Sequence, residues 1–192
     1  AGSYTYAVEA NATVDGQAAG DSSLTAAVDT DANRSIVETT STAGPVETVV
    51  SNGTVYQRIG AENPQYRTFD ADFPAGDVVS TDVAPLVRNH SFTHSGTATV
   101  DGRTVQTYEA HANGTDATLQ RDLGEGVVVE SVDVTLAVRE DGVVVRHHTA
   151  AELAFANEEA TGTYDRTVRY ADVGSTDVPA PDWIDEATNA TA

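Results

Sequence analysis

Residues 127–171 alternate between apolar and polar side chains with a period of two, and few chains with that pattern escape an antiparallel sheet. Val128, Val132, Val134, Leu136 and Val138 share one side of the first segment, while Ser131, Asp133, Thr135 and Arg139 take the other. This is the signature of a half-buried strand. Asp141-Gly142 follows, a dipeptide suited to a type I′ hairpin, in which both central residues need positive φ. A two-residue loop there places Val138 opposite Val145, Leu136 opposite His147 and Val132 opposite Ala151. The apolar faces of the two strands then coincide, as a correct register requires. After a turn in 157–162, Tyr164, Val168 and Tyr170 continue the pattern in a third strand.

The same grammar runs through most of the chain. Strands are expected over 3–14, around Leu24, Ala26 and Val28, over 36–40, 46–50 and 54–59, and over 93–100 and 103–111. Residues 66–69 read as a short edge strand. Asp15-Gly16, Asn52-Gly53 and Asp101-Gly102 mark tight hairpins. Pairing around Asn52-Gly53 sets Val50 on Val55, Val46 on Ile59 and Glu47 opposite Arg58. Two stretches break the alternation. Residues 73–91 hold Pro74, Gly76 and Pro85, with Val83, Leu86 and Val87 at helical spacing and Ser80 or Thr81 as a cap. Residues 115–124 read as a helix capped by Thr115, with Leu119 and Leu123 on one face. About ten strands thus form a mainly β, antiparallel meander. Its apolar face needs cover, by closure or by helices packed into a concavity, and the two helical segments have the stripes for the second role. Residues 1–175 are expected to form one domain, and 176–192 a tail with a short Trp183-containing segment.

Thirty acidic residues face ten basic ones, all Arg, for a net charge of −20. Such a surface stays soluble in molar salt, where charges are screened within about 3 Å. Nucleic acid and anionic membranes are poor partners for it. No apolar run approaches the ~20 residues of a membrane span. Asn11, Asn33, Asn52, Asn89, Asn113 and Asn189 lie in Asn-X-Ser/Thr triplets, six of only eight Asn residues and several times the chance yield. They are glycosylation candidates and point to the cell exterior. With no Cys, an exported chain of this kind depends on its core for stability.

Catalytic motifs are missing: there is no Cys nucleophile, Gly-X-Ser-X-Gly, Gly-rich phosphate loop or His-Glu-X-X-His, so a non-enzymatic role without a cofactor is expected. His90 and His94 have a metal-ligand spacing only if helical, and the residues between them read as strand entry. His147 and His148 point to opposite faces of one strand, and His147 reads as a neutral core histidine. Asp29-X-Asp-X-Asn33 resembles the start of a calcium loop, but Arg34 replaces the Gly and Thr40 the bidentate Glu, so a hairpin turn explains it better and no metal site is assigned. The remaining candidate is an apolar ligand face: Val78, Val79, Val83, Leu86 and Val87 with Leu119 and Leu123, set against strand residues Tyr6, Val8, Val134 and Leu136. The same side chains would also serve as plain core.

The ordered set Ser3-Tyr-Thr-Tyr6, Asn52-Gly-Thr-Val-Tyr56, Val100-Asp-Gly-Arg-Thr-Val105, Tyr170-Ala-Asp-Val-Gly-Ser-Thr176 and Pro181-Asp-Trp-Ile184 resembles an uncharacterised family of haloarchaeal surface lipoproteins. That family is in turn similar to the LolA-type lipoprotein carriers and the mycobacterial LppX/LprG lipid-binding lipoproteins. The resemblance spans about residues 3–187. It implies a strongly curved antiparallel half-barrel with helices capping its concave face. Members carry a lipidated Cys and a helix ahead of the first strand, so a membrane tether ahead of Ser3 is expected. The function implied is an extracellular, membrane-anchored module that binds or carries lipid or another apolar ligand. The alternative is a glycosylated cell-surface interaction module with a filled interior.

Overall fold

The computed structural model describes residues 2–79, 83–114, 119, 123, 126–156 and 159–190. In chain order the strands are β1 (Ser3–Val14), β2 (Gln17–Asp29), β3 (Arg34–Ser41), β4 (Gly44–Ser51), β5 (Thr54–Ile59) and β6 (Gln65–Asp70). A 3-10 turn (Ala75–Asp77) and helix α1 (Ala84–Asn89) follow. Then come β7 (Thr93–Val100), β8 (Arg103–Asn113), β9 (Val127–Val138), β10 (Val144–Phe155), β11 (Thr161–Ala171) and helix α2 (Ile184–Ala190). All eleven strands form one unclosed antiparallel sheet in the order β6-β5-β4-β3-β2-β1-β11-β10-β9-β8-β7. Consecutive strands are neighbours throughout except the pair β6 and β7, which are the two edges, and β1 also lies beside β11. Short hairpins therefore build nearly the whole sheet, and residues 71–92 alone connect one edge strand to the other.

The hairpins show how sequence sets register. Asp15-Gly16, Asn52-Gly53 and Asp101-Gly102 all have positive φ at both residues (49° and 75°, 53° and 77°, 49° and 73°), the conformation a type I′ turn demands. Around Asn52-Gly53, Val50 pairs with Val55, Glu47 with Arg58 and Val46 with Ile59, as expected. The Arg58 Nη1 lies 3.8 Å from Glu47 Oε2.

Asp141-Gly142 behaves differently. Only Gly142 has positive φ, at 83°. The Gly142 amide donates to the Arg139 carbonyl and the Arg139 amide to the Val143 carbonyl, both at 2.9 Å. The loop is thus one residue longer than a type I′ turn, with glycine in the left-handed position. Val144, not Val145, pairs with Val138, and the extra residue Val145 turns to the reverse face beside Val105 and Ala137. Beyond this irregularity the expected pairs return, Leu136 with His147 and Val132 with Ala151. A second shift, between Glu152 and Leu153, gives β9 an extra residue. It turns Val128 outward, 41 % exposed, and buries Val129 in its place. Alternation had put Val128 with Val132; a bulge resets the parity.

Packing divides the chain into two compact units, one of Ala1–Val8, Ser22–Thr81 and Tyr170–Ala192, the other of Glu9–Asp21 and Asp82–Arg169. In the first, successive residues of β4 serve opposite faces. Val49 packs with Trp183 and Ala187, joined by Ile36, Tyr56, Tyr66 and Ile184. Val50 packs with Val55 and Ala75 on the other side, joined by Ala71 and Val78. The C-terminal segment is therefore more than a tail. The Trp183 ring stacks on Tyr66 at 6.0 Å, and the Tyr66 hydroxyl donates to Glu186 at 2.7 Å. Asp185 and Glu186 occupy the first turn of α2, where negative charge suits the helix dipole.

Candidate ligand-binding face

In the second unit, four strands align their inward residues into three rows. The first row runs Tyr108, Leu136, His147, Val168; the second Ala110, Val134, Thr149, Arg166; the third Ala112, Val132, Ala151, Tyr164. Val129, Val132, Val134, Leu136, Ala151 and Leu153 form the buried floor of this face. Each of these six is at most 6 % exposed.

Among the described residues the cover is less buried than the floor. Leu86, Phe92, Leu119 and Leu123 pack on the cluster, yet all are only half-buried. Helix α1 has six residues and none of them is buried. Its N-cap is Val83, without a side-chain cap, and Pro85 sits in its first turn. The helix thus starts after the expected caps; Ser80 and Thr81 lie outside the described residues. So does the expected helix over 115–124 apart from Leu119 and Leu123, and so do two residues of the 157–162 turn.

Of the side chains expected to line a ligand site, five come together here: Leu86, Leu119, Leu123, Val134 and Leu136. Val87 faces solvent at 46 % exposure, and Leu86 alone of the Val83, Leu86, Val87 stripe packs on the cluster. Val83 itself is half-buried at the cap. The others belong to the first unit. Val78 packs on Val50 and Val55, Val79 is buried, Val8 is half-buried, and Tyr6 is buried with its ring 5.2 Å from Tyr170.

His147 and Arg166 bring ring nitrogens and a positive charge into the apolar rows. His147 is buried, and burial first, then the charges of Arg166 and His148, push its pKa down to about 4. It is neutral at physiological pH, as the sequence suggests. Arg166 is half-buried between Tyr164 and Val168. The period-2 pattern already placed it on the apolar face, but a charged residue is easily assigned to solvent.

The reverse face carries the carboxylates and their partners. His111 Nδ1 is 2.8 Å from Asp133 and its Nε2 3.0 Å from Asn113. These two contacts, Asp133 first, raise the ring pKa above the ordinary imidazole value. His148 Nε2 lies 2.6 Å from Asp165, and the Ser131 hydroxyl donates to Glu152 at 3.0 Å. His90 follows α1 while His94 stands in β7, 2.8 Å from Gln106, so the two do not share a helix. The Asp29 carboxylate accepts from the Asp31 and Ala32 amides, and Asn33 Oδ1 from the Ala75 amide. Both oxygens serve a turn. All six sequon asparagines are exposed: Asn33 and Asn52 in turns, Asn89 at the end of α1, Asn113 at the end of β8, Asn11 within β1 and Asn189 within α2.

Fold and face together define a mainly β protein with one open antiparallel sheet and an apolar face on which, among the described residues, only half-buried side chains pack. The chain belongs to DUF7537, a family of unknown function, whose model matches residues 1–187. No curated protein matches the sequence. Among solved structures it is similar to the lipoprotein LppX of Mycobacterium tuberculosis, with 10 % identity and a TM-score of 0.46 over 91 % of this chain and 88 % of that one. LprF of Mycobacterium bovis gives 14 % identity and a TM-score of 0.40 over 92 % and 87 %. A LolA-superfamily protein of Nitrosomonas europaea gives 10 % and 0.30 over 94 % and 91 %.

Proposed function

We propose that this protein is an extracytoplasmic, membrane-tethered module that holds an acyl or other apolar chain against the Val132, Val134 and Leu136 face of its second unit. The observation that carries this reading is the mismatch between floor and cover. A floor residue such as Val134 is 1 % exposed, whereas Leu86, Phe92, Leu119 and Leu123 above it stay half-buried. A six-residue helix is far below the ~12–15 residues at which an isolated helix becomes even marginal. Its hold on the sheet comes from a few apolar contacts that an acyl chain can replace in kind, since burial is non-directional. The role is binding, not catalysis. The −20 charge and the absence of Lys support work in concentrated salt. Six exposed sequons favour a glycosylated surface, and they are also the observation behind a second reading, a surface interaction module without a small ligand.

Native mass spectrometry of protein purified at high salt from its own host, with solvent extraction of the same sample, tests the choice. A co-purifying lipid supports the carrier reading. Protein that arrives empty and takes up no fatty-acyl probe supports the second.

A further inference from the structure

Arg166 stands where an arginine has least reason to be. It occupies the middle of β11, with Tyr164 and Val168 beside it on the same face and Thr149 opposite it in β10. Continuing along that row come Val134 and Ala110, both buried. A guanidinium cannot shed its charge, and a charge on an apolar face is unfavourable unless paired. The chain has thirty carboxylates, and Arg58 and Arg139 each hold one. Arg166 makes no hydrogen bond or ion pair among the described residues. The carboxylates of β8, β9, β10 and β11 are out of its reach by parity. Glu109, Asp133, Glu152 and Asp165 all occupy alternate positions that face the other way, and Glu130 is the extra residue of the β9 irregularity. The histidine on this face, His147, is neutral and supplies no negative charge. Among the described residues a cation is thus left without an ion-pair partner beside the Thr149, Val134, Ala110 row, and Leu86 and Phe92 cover the same floor.

We infer that Arg166 binds the anionic head group of an amphiphile whose chain runs along the Thr149, Val134, Ala110 row. This rests on the apolar-ligand reading and narrows its chemistry: the ligand carries an oxyanion, and a guanidinium donates two parallel hydrogen bonds to such a group. Three strand spacings, about 14 Å, separate β11 from β8, which sets the scale of chain that the row accommodates. Carboxylate and phosphate share the recognition chemistry.

The test compares cis-parinaric acid with its methyl ester, which has the same chain and no charge, on wild type, Arg166→Gln and Arg166→Lys. Dodecanoate and dodecyl phosphate serve as displacing ligands. Wild type should bind the acid on the order of 10- to 100-fold more tightly than the ester, the range of a charged hydrogen-bonded contact. Arg166→Gln should erase that preference and leave ester binding unchanged, and Arg166→Lys should keep part of it. The better displacer then identifies carboxylate or phosphate as the preferred head group. Removing an unpaired charge from an apolar face should leave the Gln variant at least as heat-stable as wild type. The wild-type comparison needs no variant at all: equal affinity for acid and ester overturns the head-group assignment while leaving the apolar-ligand reading standing. A preference that survives in folded Arg166→Gln also overturns it. Binding of neither probe overturns both.

Discussion

Truncating two leucines that touch the same cluster separates a firm floor from a removable cover. Leu136 is 4 % exposed and Leu86 is half-buried, and both pack into the cluster of Val132, Val134 and Leu153. Leu→Ala deletes three carbons, about 2.4 kcal/mol of transfer free energy if they are fully buried and about half that at a half-exposed site. At Leu136 the neighbours on β8 and β10 close the space, so a cavity term of about 1–2 kcal/mol is added. Leu136→Ala should therefore cost about 3–4 kcal/mol. At Leu86 solvent fills the gap and no cavity term applies, so Leu86→Ala should cost about 1 kcal/mol. Denaturant titration of both variants and wild type at one high salt concentration reads the difference from the shift in midpoint at unchanged slope. Losses of equal size would refute the reasoning, because they would mean that Leu86 is as firmly enclosed as the floor.

Three further outcomes follow from local geometry and charge. Gly142 has φ of 83° and open space around a would-be Cβ, so Gly142→Val should cost about 1–3 kcal/mol through backbone strain alone and Gly142→Asn much less; a change under ~0.5 kcal/mol on chemical denaturation contradicts this. His147 has a folded pKa of about 4 against 6.5 for the free ring. Its contribution, about 3 kcal/mol at most, is therefore full above pH 6.5 and lost as pH falls through 4; a melting temperature that His147→Gln leaves equally sensitive between pH 6.5 and 5 counts against it. Self-repulsion at −20 should lower the melting temperature on dialysis to ~10 mM salt, where the Debye length is ~30 Å, and an unchanged thermal transition contradicts that.

Hairpins whose turn dipeptide and strand pattern agree were legible from sequence. Asn52-Gly53 fixes the partner of Val50, and alternation then fixes every pair out to Val46 and Ile59. Where two turn types share one dipeptide, the sequence does not choose between them. Asp141-Gly142 satisfies both a two-residue and a longer loop, and Arg139, which ion-pairs with Asp141, accompanies the longer one. Bulges are similarly hidden, since Val127, Val128 and Val129 offer three equivalent candidates and only packing selects Val129. The α2 helix is not legible in the sequence because seven residues carry too little periodicity; Trp183 and Ala187 form a buried stripe only where Val49 packs against them. Within the candidate face, spacing placed Leu86, Leu119, Leu123, Val134 and Leu136 on one apolar surface, whereas Val129 depended on the bulge. Arg166 was not legible, because its significance lies in the missing partner, and pairing is a property of the folded face.

Photo-crosslinking with a diazirine-bearing fatty acid, followed by peptide mapping at high salt, asks most directly whether this face takes an apolar chain. Adducts are predicted on Leu86 and Phe92 of the cover and on Val134 and Leu136 of the floor, and excess unlabelled fatty acid should compete them away. Adducts confined to solvent-exposed apolar residues such as Phe69 and Phe73, or labelling that no competitor reduces, would contradict the binding role.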